Sequence, residues 1–299
     1  MASLRQIRRR MKSIENIHEI TAAMEMIAAF RFKRAEGRFS KSKPFLVEME
    51  NMVLNLSSGR GEATPRPYEQ GDKIDEVDLL FEKRNVRKKT LVVISGDKGL
   101  CGAYNTNVLK AAGAWLKENK DFETAFIPIG KVAFESYRKK RLPVLSGHPE
   151  KSPADLPLAK QVTQDLKNLF LSGKTDSVEL LYTSYRAGGT GRNVFVPFLS
   201  LNYLMEKNHN GSHALDYIYE PDFQNVFLLL LSRYLEGKIY ITLLESLTSE
   251  YSARRVAMKQ ATDNSEEILH DLTLLRNKTR QATITRELSE IVSGASVLV

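Results

Sequence analysis

The C-terminal part of the chain carries a long stripe of apolar and small residues. Its members are spaced alternately three and four residues apart, which is the pattern of a coiled-coil seam. They are Leu244, Leu247, Tyr251, Arg254, Met258, Ala261, Ser265, Ile268, Leu272, Leu275, Thr279 and Ala282. Neither proline nor glycine interrupts the chain between Gly237 and Gly294. The pattern therefore predicts one long helix that needs a partner helix to bury its stripe.

The first sixty residues have a similar stripe, which makes them the predicted partner. Its members are Leu4, Ile7, Met11, Ile14, Ile17, Met24, Ile27, Ala28, Phe32, Ala35, Phe39, Ser42, Leu46, Met49, Val53 and Leu56. The spacing shortens between Ile17 and Met24 and again between Ala282 and Leu288. Such a lost step locally overwinds a coiled coil. We expect the two ends of the chain to pair with each other.

The middle of the chain has the short β-branched runs and amphipathic segments of an α/β domain. Strands are predicted at Thr90–Ser95, Glu123–Ile129, Val178–Ser184 and Asn193–Ser200, and helices at Thr106–Lys117, Lys131–Arg138 and Asp155–Leu171. Strands that alternate with helices indicate a mainly parallel sheet covered on both faces. Only glycine-containing chain separates the last two strands, so they are expected to form a hairpin.

The predicted fold class is α/β plus long helices, with a central, mainly parallel, Rossmann-like α/β domain. Glycines and prolines between Ser57 and Lys73 mark a linker after the first helix. The expected organisation is an N-terminal helix at 1–57, a linker at 58–89, the α/β domain at 90–205, a second linker or foot at 206–221 and a C-terminal helix at 222–299.

Composition narrows the class of protein. The chain has 299 residues, of which 42% are hydrophobic, and no apolar run is long enough to span a bilayer. The basic N-terminus lacks the apolar segment of a secretory signal, so we expect an intracellular chain. The single Cys101 excludes an intramolecular disulfide and a cysteine-cluster metal site.

The net charge of +8 leaves a nucleic-acid-binding helical hairpin as an alternative function. Between Arg5 and Lys43 there are eleven lysines and arginines against four glutamates. A solvated helical face also explains this excess. Nucleic-acid binders interleave aromatic residues with the basic ones, and none lies between Arg5 and Lys12.

Catalytic, cofactor and metal sites are not predicted. Gly96, Gly99 and Gly102 lack the spacing of a dinucleotide-binding turn, and Gly130-Lys131 does not complete a phosphate loop. Of the histidines, only His209 and His213 have an i, i+4 spacing, and no glutamate accompanies them as a zinc hydrolase requires. We interpret the glycines as a tight turn between strand and helix, and a nucleotide-dependent enzyme as an unsupported alternative.

Three segments resemble the gamma subunit of the F-type rotary ATP synthase, in the order in which that family has them. They are LRQIRRRMKSIENIHEITAAMEMIAA, the loop SGDKGLCGAYN, and AMKQATDNSEEILHDLTLLRNKTRQATITRELSEIVSGAS. The resemblance covers essentially the whole chain. The sequence lacks the cysteine-bearing insertion of chloroplast relatives, and it lacks a transit peptide. The resemblance therefore implies a bacterial type, located peripherally on the cytoplasmic side of the cell membrane.

The resemblance implies a rotor shaft that is not itself catalytic. The terminal helices would form an antiparallel coiled coil whose tip enters a ring of alpha and beta subunits. The α/β domain would lie beside the epsilon subunit and on the c ring, whose ion-driven rotation it passes on. Residues matching the family's contacts with the alpha/beta ring are Met24, Arg280, Gln281, Thr285 and Glu287, and those matching the foot near the c ring are Tyr217 and Glu220.

Overall fold

The computed structural model describes residues 4–58, 76–82, 84–186, 191–207, 220 and 223–297. The helices are α1 Leu4–Ser58, α2 Glu76–Phe81, α3 Tyr104–Glu118, α4 Lys131–Lys140, α5 Leu156–Leu171, α6 Asn202–Lys207 and α7 Phe223–Val297, and the strands are β1 Lys88–Ile94, β2 Glu123–Ile129, β3 Ser177–Ser184 and β4 Arg192–Leu199. Two compact units can be distinguished. One comprises Met1–Phe30 with Arg254–Val299, and the other is Arg31–Ala253.

The larger unit is built on a four-stranded sheet in the order β2-β1-β3-β4. β1 pairs in parallel with both β2 and β3, while β3 and β4 are antiparallel. This confirms the predicted mainly parallel sheet and the terminal hairpin. The central strand β1 reads as a continuous apolar run from Leu91 to Ile94 rather than as an alternating pattern, because both faces of the sheet are covered there.

Alternate side chains of β1 enter two different cores. Leu91 and Val93 pack with α3 and α4 around Trp115. Val92 and Ile94 face the opposite side, where α5 and the long helices contribute to a larger core. At the start of α5 the Asp155 side chain accepts a hydrogen bond from the Leu158 amide at 3.1 Å, which caps the helix.

Within the larger unit, α1 and α7 share that second core. The buried α1 residues are Ala35, Phe39, Met49, Val53 and Leu56, all members of the predicted stripe. Arg38 donates a hydrogen bond to the Tyr240 hydroxyl, and Leu46 lies beside Gly237. Because residue numbers rise along one helix as they fall along the other, the two helices are antiparallel here.

In the smaller unit, α1 and α7 pair in the same antiparallel sense. Ile7, Met11 and Leu272 form a buried cluster, and Thr262 donates a hydrogen bond to the Thr21 hydroxyl at 3.0 Å. In an antiparallel pair, the residue numbers of facing positions have a constant sum. For Thr21 and Thr262 this sum is 283, so Leu4 lies level with about residue 279. The long terminal helices and their antiparallel pairing were therefore predicted correctly.

Three details differ from the pattern in the sequence. Ile17 and Ile27 of the predicted α1 stripe are exposed, and so are Ile268 and Leu275 of the predicted α7 stripe. The interval expected as the first linker contains α2, whose Leu80 and Phe81 are buried in the larger core. The short α6 was not predicted either. In the part of the chain that the structure describes, the helices contain no apolar stretch of the length that a bilayer span needs.

Candidate functional site

The five residues expected to contact other subunits through the smaller unit lie on its two helices. Met24 is half-buried on α1. Arg280, Gln281, Thr285 and Glu287 are all exposed on α7, over about two helical turns. These four residues therefore share a short, solvent-exposed stretch of α7. Met24 lies on α1, and the structure does not bring it to the level of that stretch. Their roles in contact stay predictions.

Of the two foot residues, Glu220 is exposed and Tyr217 lies outside the described residues. The candidate histidine pair, His209 and His213, also lies outside them. Among the residues that the structure describes, no group of three or more His, Cys, Asp and Glu side chains is arranged to hold a metal ion. Cys101 is buried, as a packing residue would be.

The end of α7 exposes large apolar side chains to solvent. Beyond the level of Leu4 these are Ile284, Leu288, Ile291 and Val292, with Ile291 68% exposed. From Gln281 to Ser293 every side chain except Thr283 is exposed. Exposed apolar side chains grouped in this way are typical of an interaction surface. Basic side chains are exposed at the start of α1, at Arg5, Arg8, Arg9, Arg10 and Lys12.

A second candidate site lies in the larger unit, where α7 meets the loop after β1. We call Tyr104, Lys151, Ser246 and Glu250 the helix seat. The Lys151 ammonium lies 2.7 Å from a Glu250 carboxylate oxygen, and both side chains are almost fully buried, at 0% and 5% exposure. The Tyr104 hydroxyl lies 2.7 Å from the Ser246 hydroxyl. The seat therefore joins the α/β sheet to α7 through directional polar contacts.

Charges in the helix seat are set by their neighbours. Burial is the largest single influence on the pKa of Lys151 and lowers it, but the Glu250 carboxylate together with Tyr104 and Asp97 raises the pKa by more, so the ammonium stays charged. Burial raises the pKa of the Tyr104 phenol, which stays neutral. The Lys151 ammonium also lies 3.5 Å from the hydroxyl oxygens of Tyr104 and Ser246. Because breaking a buried ion pair leaves an uncompensated charge, the protein must hold this pair in one geometry.

The loop after β1 is shaped to hold the helix seat. Asp97 accepts hydrogen bonds from the Lys151 and Ser152 amides, both at 2.9 Å, and so fixes the segment that carries Lys151. The Gly96 amide donates to the Asn105 side chain at 2.8 Å. A methyl group on Gly96 would lie 3.0 Å from the Glu250 carboxylate carbon. A side chain at position 96 would therefore crowd the Glu250 carboxylate of α7, and glycine avoids this contact.

At the end of β3, a further set of contacts holds both long helices. Glu245 of α7 accepts hydrogen bonds from the Ser184 hydroxyl at 2.7 Å and the Tyr185 amide at 3.1 Å. The Tyr185 hydroxyl donates to Glu36 of α1 at 2.6 Å, and its ring packs edge-on against Phe32 and Phe39. The segments at the carboxyl ends of β1 and β3 therefore both make polar contacts with α7, at Glu250 and Glu245 respectively.

Sequence reasoning missed the helix seat as a functional unit. Tyr104 and Asp97 lie in the loop SGDKGLCGAYN, so the motif signalled the loop without revealing its partner. Lys151 and Glu250 lie in no motif and are far apart in the chain. Glu250 belongs to a run of the last helix in which nearly every side chain is buried, and such a buried acid is a signal only after the fold is known.

Comparisons with known proteins agree on one family. A family model described as ATP synthase matches residues 3–298. ATP synthase gamma chains of Paracidovorax citrulli and Acidovorax sp. are each 36% identical over the full length of both chains. The gamma chain of Desulfitobacterium hafniense is 32% identical, also over both full lengths. None of these relatives is a nucleic-acid-binding protein by its name.

Solved structures show the same fold. A chain of the Tetrahymena thermophila mitochondrial ATP synthase central stalk and c ring aligns with a TM-score of 0.60 at 20% identity, covering 81% of this chain and 99% of that one. A chain of the Euglena gracilis mitochondrial ATP synthase, in a structure of OSCP, F1 and c ring, aligns with a TM-score of 0.66 at 17% identity, covering 99% and 94%.

Proposed function

Because the chain belongs to the ATP synthase gamma chain family, we propose that it is the central rotor shaft of an F-type ATP synthase. In this role it couples ion-driven rotation of the c ring to conformational change in the alpha/beta hexamer, where ATP is made or hydrolysed. The observation that carries the proposal is α7, a 75-residue helix that pairs with α1 and is gripped by the α/β sheet. The chain is a non-catalytic subunit, and the catalytic sites lie in the alpha and beta subunits.

The exposed end of α7 is the proposed contact with the hexamer. Its apolar side chains form no directional bonds, so they suit a bearing in which the helix turns against an apolar sleeve. Arg280, Gln281, Thr285 and Glu287 supply exposed polar groups that make and break contacts as the angle changes. Met24 is the proposed contact with the moving lever of the beta subunit, because its unbranched side chain suits a sliding surface.

The α/β unit is the proposed foot, in contact with the epsilon subunit and the c ring. Glu220 is exposed, as a contact residue must be before assembly. Together with Tyr217 it matches the family's foot region. The gamma chains named above come from bacteria. Their origin supports our proposal that the chain lies at the cytoplasmic side of a bacterial cell membrane, peripheral to the membrane through its complex.

Co-expression with the alpha and beta subunits tests this function. We expect the full chain to yield a stable hexamer with sustained ATP hydrolysis, because the bare end of α7 fills the centre of the ring. A chain truncated after Leu275 lacks this end and should give a weakened complex. ATP hydrolysis and the mass of the complex are measured with the full chain, with the truncation and with no gamma chain. A full chain that neither joins the hexamer nor changes hydrolysis would contradict the proposal.

A further inference from the structure

The helix seat occupies the place where many α/β sheets bind ligands. In open sheets of this type, the crevice at the carboxyl ends of the strands is the usual ligand site. Here α7 lies against the ends of β1 and β3, and the Glu250 carboxylate fills the space next to Gly96. Lys151, a buried cation of the kind that would neutralise an anionic ligand, pairs with this carboxylate instead. The protein's own helix thus takes the place of a ligand.

The helix seat differs in kind from the apolar contacts around it. Leu243, Leu244 and Leu247 of α7 pack into the larger core. Apolar burial holds α7 against the sheet, but it is non-directional and tolerates rotation or sliding of the helix. The ion pair and the Tyr104 hydrogen bonds are directional, and they fix one angle of α7 about its own axis. Fixing the register of one packed element on another is the best-attested role of buried polar groups.

We propose that the helix seat is a positioning site for energy coupling, in which the Lys151–Glu250 ion pair locks the angle and register of α7 on the α/β sheet so that rotation of the sheet turns the helix without slip. This inference rests on the proposed function as a rotor shaft. It assigns Lys151, Glu250 and Tyr104 to coupling, and it leaves ATP chemistry to the other subunits.

The test uses the whole complex, reconstituted in vesicles from the full chain with alpha, beta, epsilon, c-ring and stator subunits. The variant Lys151→Met with Glu250→Leu removes both charges and keeps similar volumes, so the fold should be as stable as before. We expect ATP hydrolysis at the wild-type rate. Protons pumped per ATP should fall roughly fivefold, the factor that corresponds to about 1 kcal/mol of lost preference for one angle.

Two further variants separate coupling from stability. Lys151→Glu with Glu250→Lys rebuilds the pair with reversed charges and should restore pumping per ATP. Tyr104→Phe removes only the hydroxyl, is expected to fold, and should lower pumping per ATP by a smaller factor. The matched control is Thr90→Val with Thr175→Val, which removes a buried hydroxyl pair 2.8 Å apart at the other end of β1. It should leave pumping unchanged.

Each outcome decides between the two proposals. If the double variant and Tyr104→Phe both fold and both pump as the wild type does, the positioning inference is wrong and the rotor function stands. The inference also fails if pumping falls only in step with thermal stability, and equally in the threonine control. If the wild-type chain itself does not join the hexamer, the proposed function fails, and the inference that rests on it fails as well.

Discussion

Gly130 shows how a single residue holds the sheet to its helices. Its φ of +96° is unfavourable for any residue with a side chain, and a methyl group would lie 2.6 Å from the Ser95 carbonyl oxygen. We expect Gly130→Ala to lower the free energy of unfolding by about 2–4 kcal/mol. Urea unfolding followed by fluorescence of Trp115, which is buried in the adjacent core, measures the loss.

Gly113 is the matched control, because it lies exposed within α3 and has open space around it. Gly113→Ala should raise the free energy of unfolding by about 0.5–1 kcal/mol, since alanine is the better helix former. Equal losses at both glycines would show that the crowding at Gly130 is not the cause.

His148 makes the stability of the α/β unit depend on pH. Its ring nitrogen lies 3.2 Å from an Asp165 oxygen, but burial lowers the pKa of the imidazole more than that carboxylate raises it. The unfolded chain therefore binds the proton better, and stability is lost as the pH falls below the ordinary value of 6.5. We expect the midpoint temperature of thermal unfolding to decrease as the pH is lowered from about 7.5 to about 5.5, the range around an ordinary histidine pKa.

His148→Gln should flatten that part of the curve, because glutamine does not titrate. The difference between the thermal midpoints of wild type and variant, measured at each pH, isolates the histidine from carboxyl groups that titrate in both. A difference that stays constant with pH would exclude His148 as the source.

At the residue scale, the sequence predicted roles that depend on local pattern and missed those that depend on the fold. The turn at Gly96 and the buried Cys101 were predicted correctly from their neighbours in the chain. The pairing of Lys151 with Glu250 was not predicted, since no spacing rule connects two residues on different elements. Only the folded chain brings that lysine to the carboxyl end of β1.

Among the elements, the paired helices bury small side chains whose volume should affect stability. Ala28 is 1% exposed in the smaller unit, so a larger side chain there would have to displace its buried neighbours. Ala28→Leu should lower the free energy of unfolding by about 1–3 kcal/mol through overpacking. Thermal melting followed by circular dichroism measures the change. The exposed Ala23 supplies the control, as Ala23→Leu should change stability by less than about 0.5 kcal/mol.

Elements were predictable from sequence where periodicity ran for several turns or where β-branched residues clustered. The four strands and the helices α3, α4 and α5 lie within a few residues of their predicted bounds. α2 and α6 have six residues each, which is too short to establish a period. The start of α7 was harder to read as a seam, because the apolar run from Val226 to Leu231 has no polar face.

At the scale of the whole molecule, Met24 tests whether the paired helices act on a moving partner. We expect Met24→Lys to reduce protons pumped per ATP hydrolysed. In the proposed function this residue contacts an acidic lever of the beta subunit, and a new cation would attract that lever and restrict its movement. ATP binding should be unaffected. Pumping and hydrolysis are measured together in reconstituted vesicles.

Two variants of the same region serve as controls for Met24→Lys. Met24→Leu keeps an apolar side chain of similar size and should pump normally. Met26→Lys adds the same charge on another side of α1, where the side chain is 69% exposed. If Met26→Lys and Met24→Lys reduce pumping equally, the effect is one of total charge and the specific contact is wrong.

The exposed apolar end of α7 makes a prediction about assembly. Leu288 and Ile291 are 57% and 68% exposed, and they lie on the part of α7 that extends beyond Leu4, the first residue of α1. We therefore expect another subunit to bury them. Leu288→Gln with Ile291→Gln should leave the thermal stability of the free chain unchanged, because both side chains are mostly exposed to solvent. The same change should weaken binding to the alpha/beta hexamer roughly tenfold or more, as two apolar side chains of this size lose their gain on burial. Native mass spectrometry of the co-expressed complex at falling concentrations measures this loss.

The matched change Glu266→Gln with Glu267→Gln, on an exposed stretch of α7 level with α1, should not weaken binding. Undiminished binding of the Leu288 and Ile291 variant would mean that the end of the helix does not enter the ring.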